Sequence, residues 1–276
     1  NQVGPEFVLP VVCQLAKGFS GNRTFLVKGQ SDWDKLTAAF SNRSCRITQY
    51  IPGNTWTANG CVYRNGRVST SGTFLQDTRV LTSEISDLPD RIGSRGITWF
   101  HGSQDPEVCL SSAMTHIGKV LGRNGYFGFF GADFLLPEDS DAGEILAVEV
   151  NPRITASACV LTPLEMVKNQ LPLIGQHILQ CCSEDHSSMD ENIELPCSGG
   201  QRIYRDGDRI PDVFNVESGI YTYKETGLIR NRSGFSVSDL AGSEILVWRP
   251  EMAEPKGELL RLIFVLPSDS TFHQLL

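Results

Sequence analysis

Asp133, Glu149, Asn151 and Arg153 are the residues of this chain whose types and spacing could do chemistry. They lie in the stretch from Gly125 to Arg153, GYFGFFGADFLLPEDSDAGEILAVEVNPR. Two apolar runs flank the polar segment Pro137 to Gly143, a pattern that predicts an antiparallel hairpin. With a loop over Asp139 to Gly143, Leu136 is expected opposite Leu146 and Asp133 opposite Glu149. Side chains alternate along a strand, so Asn151 shares the face of Glu149, while Leu146, Val148 and Val150 take the other. Two carboxylates and an amide oxygen on one face are the donors a hard divalent cation prefers, completed by water or phosphate oxygens. The plainer alternative is a solvated strand edge that carries three polar residues, because antiparallel strands often have one wet face. Pro152 favours the chemical reading. It stops the ladder and stiffens the exit, which sets Arg153 beside the acidic face.

Other elements must position these groups or add to them. Phe7 to Leu15 reads as a buried strand, followed by Lys17-Gly18-Phe19-Ser20-Gly21-Asn22-Arg23-Thr24 and a second strand, Thr24 to Val27. A glycine loop between two strands can cover phosphates with its backbone N–H groups. Gly18 and Gly21 permit close approach, Lys17 and Arg23 bring charge, and Ser20 brings a hydroxyl. An ordinary hairpin turn is the alternative, and the loop is neither a P-loop nor a dinucleotide fingerprint. Ser31 to Phe40 is a predicted helix with Ser31 at its N-cap and Trp33, Leu36 and Phe40 as its apolar stripe. Cys45 to Tyr50 reads as a strand leading to a turn at Ile51-Pro52-Gly53, and Trp56 to Val68 as a hairpin turning at Asn65-Gly66.

Thr70 to Phe100 has few periodic apolar positions and is expected to be irregular, hence functional or mobile. Its Arg79, Arg91 and Arg95, with His101, are the expected contacts to an anionic substrate. Asp105-Pro106-Glu107 opens a helix with Val108, Ala113, Ile117, Val120 and Leu121 on its apolar face, and Gly125 closes it. Thr162-Pro163-Leu164-Glu165 reads as the capping box of another helix running towards Cys182, kinked or split by Pro172 and Gly175. From Gly199 the character changes to short strands: Gln201 to Tyr204, Gly219 to Tyr223, Glu244 to Trp248 and Leu259 to Leu266.

Composition bounds what these residues can do. A net charge of −8 argues against a general binder of nucleic acid or anionic membrane. No apolar run approaches the roughly 20 residues of a membrane span, and no secretory signal is present. The chain starts at Asn1, as a processed chain or fragment would. Eight cysteines are scattered without zinc-like pairing, as expected of reduced thiols in a cytoplasmic protein. With 276 residues, there is length for a real core and for two domains.

The pattern G-x-D-F at Gly131 to Phe134, followed by E-V-N-P-R at Glu149 to Arg153, resembles the magnesium-binding end of the ATP-grasp ligases. The resemblance runs from Phe7 to Ser157 in the same order: strand, glycine loop, hinge, helix, metal hairpin. It implies an α+β fold in which two α+β subdomains grip ATP: 1–50 with the glycine loop, and 51–183 with the metal hairpin. A linker (184–198) and an appended β-rich region (199–276) are expected to follow. The α/β domain that usually comes first has no counterpart here. The chain is expected to lack it or to receive its part from another chain, a second copy included.

The family's members join a carboxylate to an amine through an acyl phosphate. The resemblance therefore implies ATP with Mg²⁺ (or Mn²⁺), held by Asp133, Glu149 and Asn151. Glu149 and Arg153 become the catalytic pair, and Lys17, Gly18, Ser20 and Gly21 cover the phosphates. In the family a lysine commonly stands four residues before the first loop glycine. This chain has Gln14 there, with Lys17 as the residue able to compensate. Thr48, Gln49, Tyr50 and Ile51 match the hinge whose backbone pairs with adenine, although Gln49, Asn54 and Thr55 stand where acids often do. The short I-P-G hinge and the E-V-N-P-R tail look most like members that handle amino acids or peptides, so small carboxylate and amine substrates are expected, not nucleic acid or membrane. A non-catalytic nucleotide-binding module is the alternative, and a protein without nucleotide is the third.

Overall fold

The computed structural model describes residues 8–16, 23–82, 87–101, 107–138, 144–166, 170–182, 193, 195, 198–205, 217–224, 227–242, 244–250 and 258–266. The protein is α+β, and it divides into two compact units. Unit 1 takes Asn1–Gly53 and Asp77–Arg95, and unit 2 takes Asn54–Gln76 and Gly96–Leu276. The C-terminal strands thus belong to the same unit as the acidic hairpin.

In unit 1, β1 (Val11–Leu15) pairs antiparallel with β2 (Thr24–Val27) on one side and β3 (Cys45–Gln49) on the other. Alternate residues Val11, Cys13 and Leu15 are buried with Phe25, Val27, Trp33 and Leu36, so one sheet face and one stripe of α1 (Gln30–Phe40) share a core. The expected stripe is correct, but Ser31 is not the cap. Gly29 precedes the helix without a side-chain cap, and the Asp32 carboxylate accepts from the Lys28 N–H at 2.9 Å.

Unit 2 is built on a long sheet. Its strands in order are β11 (Gly227–Arg232), β10 (Gly219–Lys224), β12 (Glu244–Trp248), β13 (Glu258–Leu266), β9 (Ser198–Arg205), β6 (Arg91–His101), β5 (Val68–Leu81), β4 (Gly53–Val62), β7 (Gly128–Pro137) and β8 (Leu146–Asn151). The chain enters β4 from unit 1, and β5 and β6 carry it back and forth between the units. β4 and β5 form the predicted hairpin, closed by Tyr63 N–H to Arg67 O at 2.9 Å.

Strands β5 and β6 overturn the expectation of an irregular segment at 70–100. Ser69, Thr70, Ser71 and Thr73 fill buried strand positions where aliphatic residues usually stand, so the apolar period is missing from the sequence. The Ser69 hydroxyl bonds the Tyr63 hydroxyl at 2.8 Å, and the Thr70 hydroxyl bonds that of Ser111 at 3.0 Å. Threonine is β-branched and fits a pleated surface.

One face of this sheet packs on α2 (Glu107–Arg123) through Leu110, Met114, Phe130, Ala132 and Phe134, with Ala113, Ile117 and Leu121 at the rim. Full burial of side chains of this size stabilises by roughly 1.5–3 kcal/mol each. Val120, expected on that face, is 41% exposed and lies outside it. Gly125 ends the helix with φ +82°, a value that costs little only without a Cβ. Its N–H bonds Gly122 O while the Tyr126 N–H bonds Leu121 O, a Schellman closure.

The opposite face packs on α3 (Ala158–Met166) and α4 (Leu173–Cys182) through Phe74, Phe129, Val160, Leu161, Leu164 and Leu173. The helix starts before the predicted capping box, since the Ala158 N–H bonds Thr155 O at 3.1 Å and the Leu161 N–H bonds Ser157 O at 2.9 Å. Glu165 instead accepts from the Leu173 N–H at 3.1 Å, so it caps the next helix, and the split falls before Leu173. Cys13, Cys45, Cys61, Cys159, Cys181 and Cys182 are free thiols.

Candidate active site

Strands β7 and β8 pair antiparallel with Asp133 opposite Glu149 and Gly131 opposite Asn151, as the spacing predicts. Towards the loop the register slips by one, so that Leu135 and not Leu136 stands opposite Leu146. The extra residue, Val148, is taken up in a β-bulge beside the acid pair. β8 is the last strand in the order, and its Val148 and Val150 stay 42% and 39% exposed.

Asp133 is partly sunk between strands, and burial pushes its carboxyl up to about 6. The Thr57 hydroxyl bonds it and pulls the other way, Glu149 opposite adds to the rise, and Arg153 opposes it. Arg153 donates through Nη2 to Asn151 Oδ1 at 3.0 Å and through Nη1 to Ile154 O at 3.2 Å. Guanidinium, amide and two carboxylates therefore lie together, as expected.

The donor set fits a hard divalent cation. All three side chains offer oxygen, and Asn151 Oδ1 keeps a second lone pair beside the one that Arg153 uses. Two carboxylates facing each other with one partly desolvated are also destabilised until a cation arrives. Among the described residues, no three His, Cys, Asp or Glu side chains form a metal cluster, so water or substrate oxygens would complete the shell.

Three polar residues absent from the sequence reading support this face. Asn59 on β4 is fully buried, and its Oδ1 accepts from Thr155 Oγ1 at 2.6 Å and from Ser157 Oγ at 3.1 Å. The two hydroxyls lie 2.9 Å apart, so Ser157 can donate to Thr155 Oγ1 in place of Asn59. Gly131 makes room: a Cβ there would come within 2.5 Å of Thr155 Cγ2. The one sequence signal was the alternation of Thr57 and Asn59 with Trp56 and Ala58 along β4.

Unit 1 holds the remaining expected residues. Gln14 stands opposite Arg46 in the β1–β3 register, and Arg46 Nη2 donates to Gln14 Oε1 at 2.6 Å. Thr48 and Gln49 are exposed on β3, and Gln49 Nε2 bonds Pro10 O at 3.0 Å. Tyr50 and Ile51 follow, with the Tyr50 N–H already donating to Pro10 O at 3.1 Å. Lys17, Gly18, Ser20 and Gly21 lie outside the described residues. So do the side chains of Arg95 and His101. Arg79 is paired with Asp77 at 2.6 Å, and Arg91 sits opposite Phe25 at the start of β6.

The backbone is similar to many solved structures, three of which follow. N5-carboxyaminoimidazole synthetase from Staphylococcus aureus, complexed with ADP, matches 95% of this chain at 11% identity with a TM-score of 0.57. The biotin carboxylase domain of 2-oxoglutarate carboxylase from Hydrogenobacter thermophilus, with MgADP and bicarbonate, matches 94% at 14% identity and 0.60. L-amino acid ligase from Bacillus licheniformis matches 96% at 15% identity and 0.58. This is the ATP-grasp fold. The chain spans 58%, 54% and 60% of those three proteins. No protein-family model and no curated protein matches the sequence. Within this fold the acid pair, Asn151, Arg153 and Asn59 belong to unit 2, whereas Gln14, Arg46 and Thr48 to Ile51 belong to unit 1.

Proposed function

We propose that this protein is an ATP-dependent carboxylate–amine ligase that joins amino acids or peptides in the cytoplasm. The carrying observation is the Asp133–Glu149 cross-strand pair with Asn151 and Arg153 beside it, in a fold whose solved neighbours hold ADP and MgADP. A substrate carboxylate oxygen attacks the γ-phosphorus and ADP leaves; an amine nitrogen then attacks the acyl carbon and phosphate leaves. Asp133, Glu149 and Asn151 would hold Mg²⁺ or Mn²⁺, which supplies charge neutralisation at the phosphate oxygens. Arg153 presents a planar cation to the transferring phosphoryl group or to the acceptor carboxylate. Lys17, Gly18, Ser20 and Gly21 cover the phosphates and exclude water, and the Thr48–Ile51 backbone takes adenine. The acceptor pocket is completed by a further domain or another chain.

The second reading, a non-catalytic nucleotide-binding module, rests on Gln14, which brings no charge. Arg46 weakens that reading. Its guanidinium is held on the Gln14 amide, so a cation stands where the glutamine alone offers none. The test is phosphate release from ATP with and without a carboxylate and an amine. Release that needs both co-substrates supports the ligase, whereas Mg²⁺-dependent ATP binding without release under any amino-acid pair supports the module.

A further inference from the structure

We infer that Asn59 is a positioning residue that sets Arg153 through a hydroxyl clamp made with Thr155 and Ser157. The side-chain bonds of Arg153 are local, to Asn151 and Ile154, and its own N–H bonds Asn151 O at 2.8 Å. A long exposed side chain held between the end of β8 and its own loop moves when that loop moves. The loop in turn is tied to the sheet at Asn59. Each hydroxyl carries one proton, so Thr155 donates to Asn59 Oδ1 while Ser157 donates either to the same oxygen or to Thr155 Oγ1, and the three groups stay within hydrogen-bond reach of one another.

The clamp is shielded from water on one side, since Asn59 is fully buried and Ser157 is 1% exposed, while Thr155 is half-buried. Solvent therefore competes little at the Ser157 contact and more at the half-buried Thr155, and loss of one donor leaves a buried carbonyl oxygen with fewer partners. The position also has a second constraint. Thr155 fits only because residue 131, opposite Asn151 on β7, is glycine. Thr155 O and Ser157 O then receive the first N–H groups of α3, so the clamp sits where the loop becomes helix. An amide suits the position better than a carboxylate would. A buried third negative charge beside Asp133 and Glu149 would raise the cost of ionising that face.

The effect on turnover rests on the ligase reading; the effect on the loop does not. The test uses the full chain with Thr155→Val, which keeps volume and removes the hydroxyl, and Asn59→Ala, which removes the acceptor. Thr155→Ser serves as the conservative rescue. Hydrogen–deuterium exchange of amides 153–158 is expected to quicken in both disruptive variants and to stay near wild type in Thr155→Ser. Turnover is expected to fall about 10- to 100-fold, because small misplacement of a reacting group costs that much. ATP affinity stays within about twofold, and the double variant is no worse than the poorer single one, since the two share one interaction. Unchanged exchange in Thr155→Val would overturn the clamp. Faster exchange with unchanged turnover would overturn the positioning of Arg153. If wild type joins no carboxylate to any amine, the ligase reading fails, and the exchange result still decides the clamp.

Discussion

The two units keep their candidate ligand groups in opposite environments. In unit 2, Asp133 is sunk deeply enough that burial lifts its carboxyl to about 6, and it is flanked by Thr57, Glu149 and Arg153. In unit 1, Gln14 and Arg46 lie on an open sheet face, joined by a hydrogen bond of 2.6 Å. Charges in a partly dry site interact strongly, because water does not screen them, whereas an exposed cation adds little beyond local attraction. On the proposed ligase reading, unit 2 carries the chemistry and unit 1 grades nucleotide affinity.

That contrast orders the expected effects. Glu149→Gln changes charge without volume and should abolish ADP formation while leaving the melting temperature near wild type. Normal activity in this variant would remove the metal assignment. Arg153→Ala should lower kcat by about 100- to 1000-fold, in the range seen when a charge-stabilising donor is lost, with a smaller change in ATP affinity. Titration calorimetry beside steady-state rates would separate the two, and the reverse split would place Arg153 on the nucleotide instead.

A third variant probes burial without chemistry. Glu165 is fully buried on α3, and burial raises its carboxyl from 4.5 to about 7, against the opposing Ser71 hydroxyl and Leu173 N–H. Between pH 4.5 and 7 the folded chain keeps a proton that the unfolded chain has lost, so stability declines as pH rises through that window. The decline is on the order of 3 kcal/mol. Urea midpoints at pH 4.5 and pH 8 should show it in wild type and show less of it in Glu165→Gln. An equal fall in both proteins would mean that Glu165 is not the group responsible. The smallest effect is expected from Arg46→Gln, a loss of about tenfold or less in ATP affinity that shrinks further in high salt. No change at any salt would remove Arg46 as a cation for phosphate.

Where the sequence was legible, the reasons are local. The alternation around Asp133 and Glu149 is periodic, the loop between them is short, and Pro152 marks the strand end, so the pairing could be counted off. The Trp33–Leu36 stripe and the Gly125 helix stop are also local patterns. Where it misled, side chains were standing in for others. Serine and threonine filled the buried positions of β5, and a capping-box pattern at Thr162 lay inside a helix already begun at Ala158. The bulge at Val148 slipped the hairpin near its loop without disturbing the acid pair.

Sequence alone determined the donor chemistry of the hairpin: which carboxylates oppose each other, which amide and guanidinium follow, and that their face is polar. Strand periodicity and turn residues are enough for that, because every partner lies within one supersecondary unit. Tertiary structure decided how dry that face is and what holds it. Asn59 lies 96 residues from Thr155, and Arg46 lies 32 from Gln14. Contacts at such separations depend on which strands become neighbours in a sheet, and no local period encodes that order.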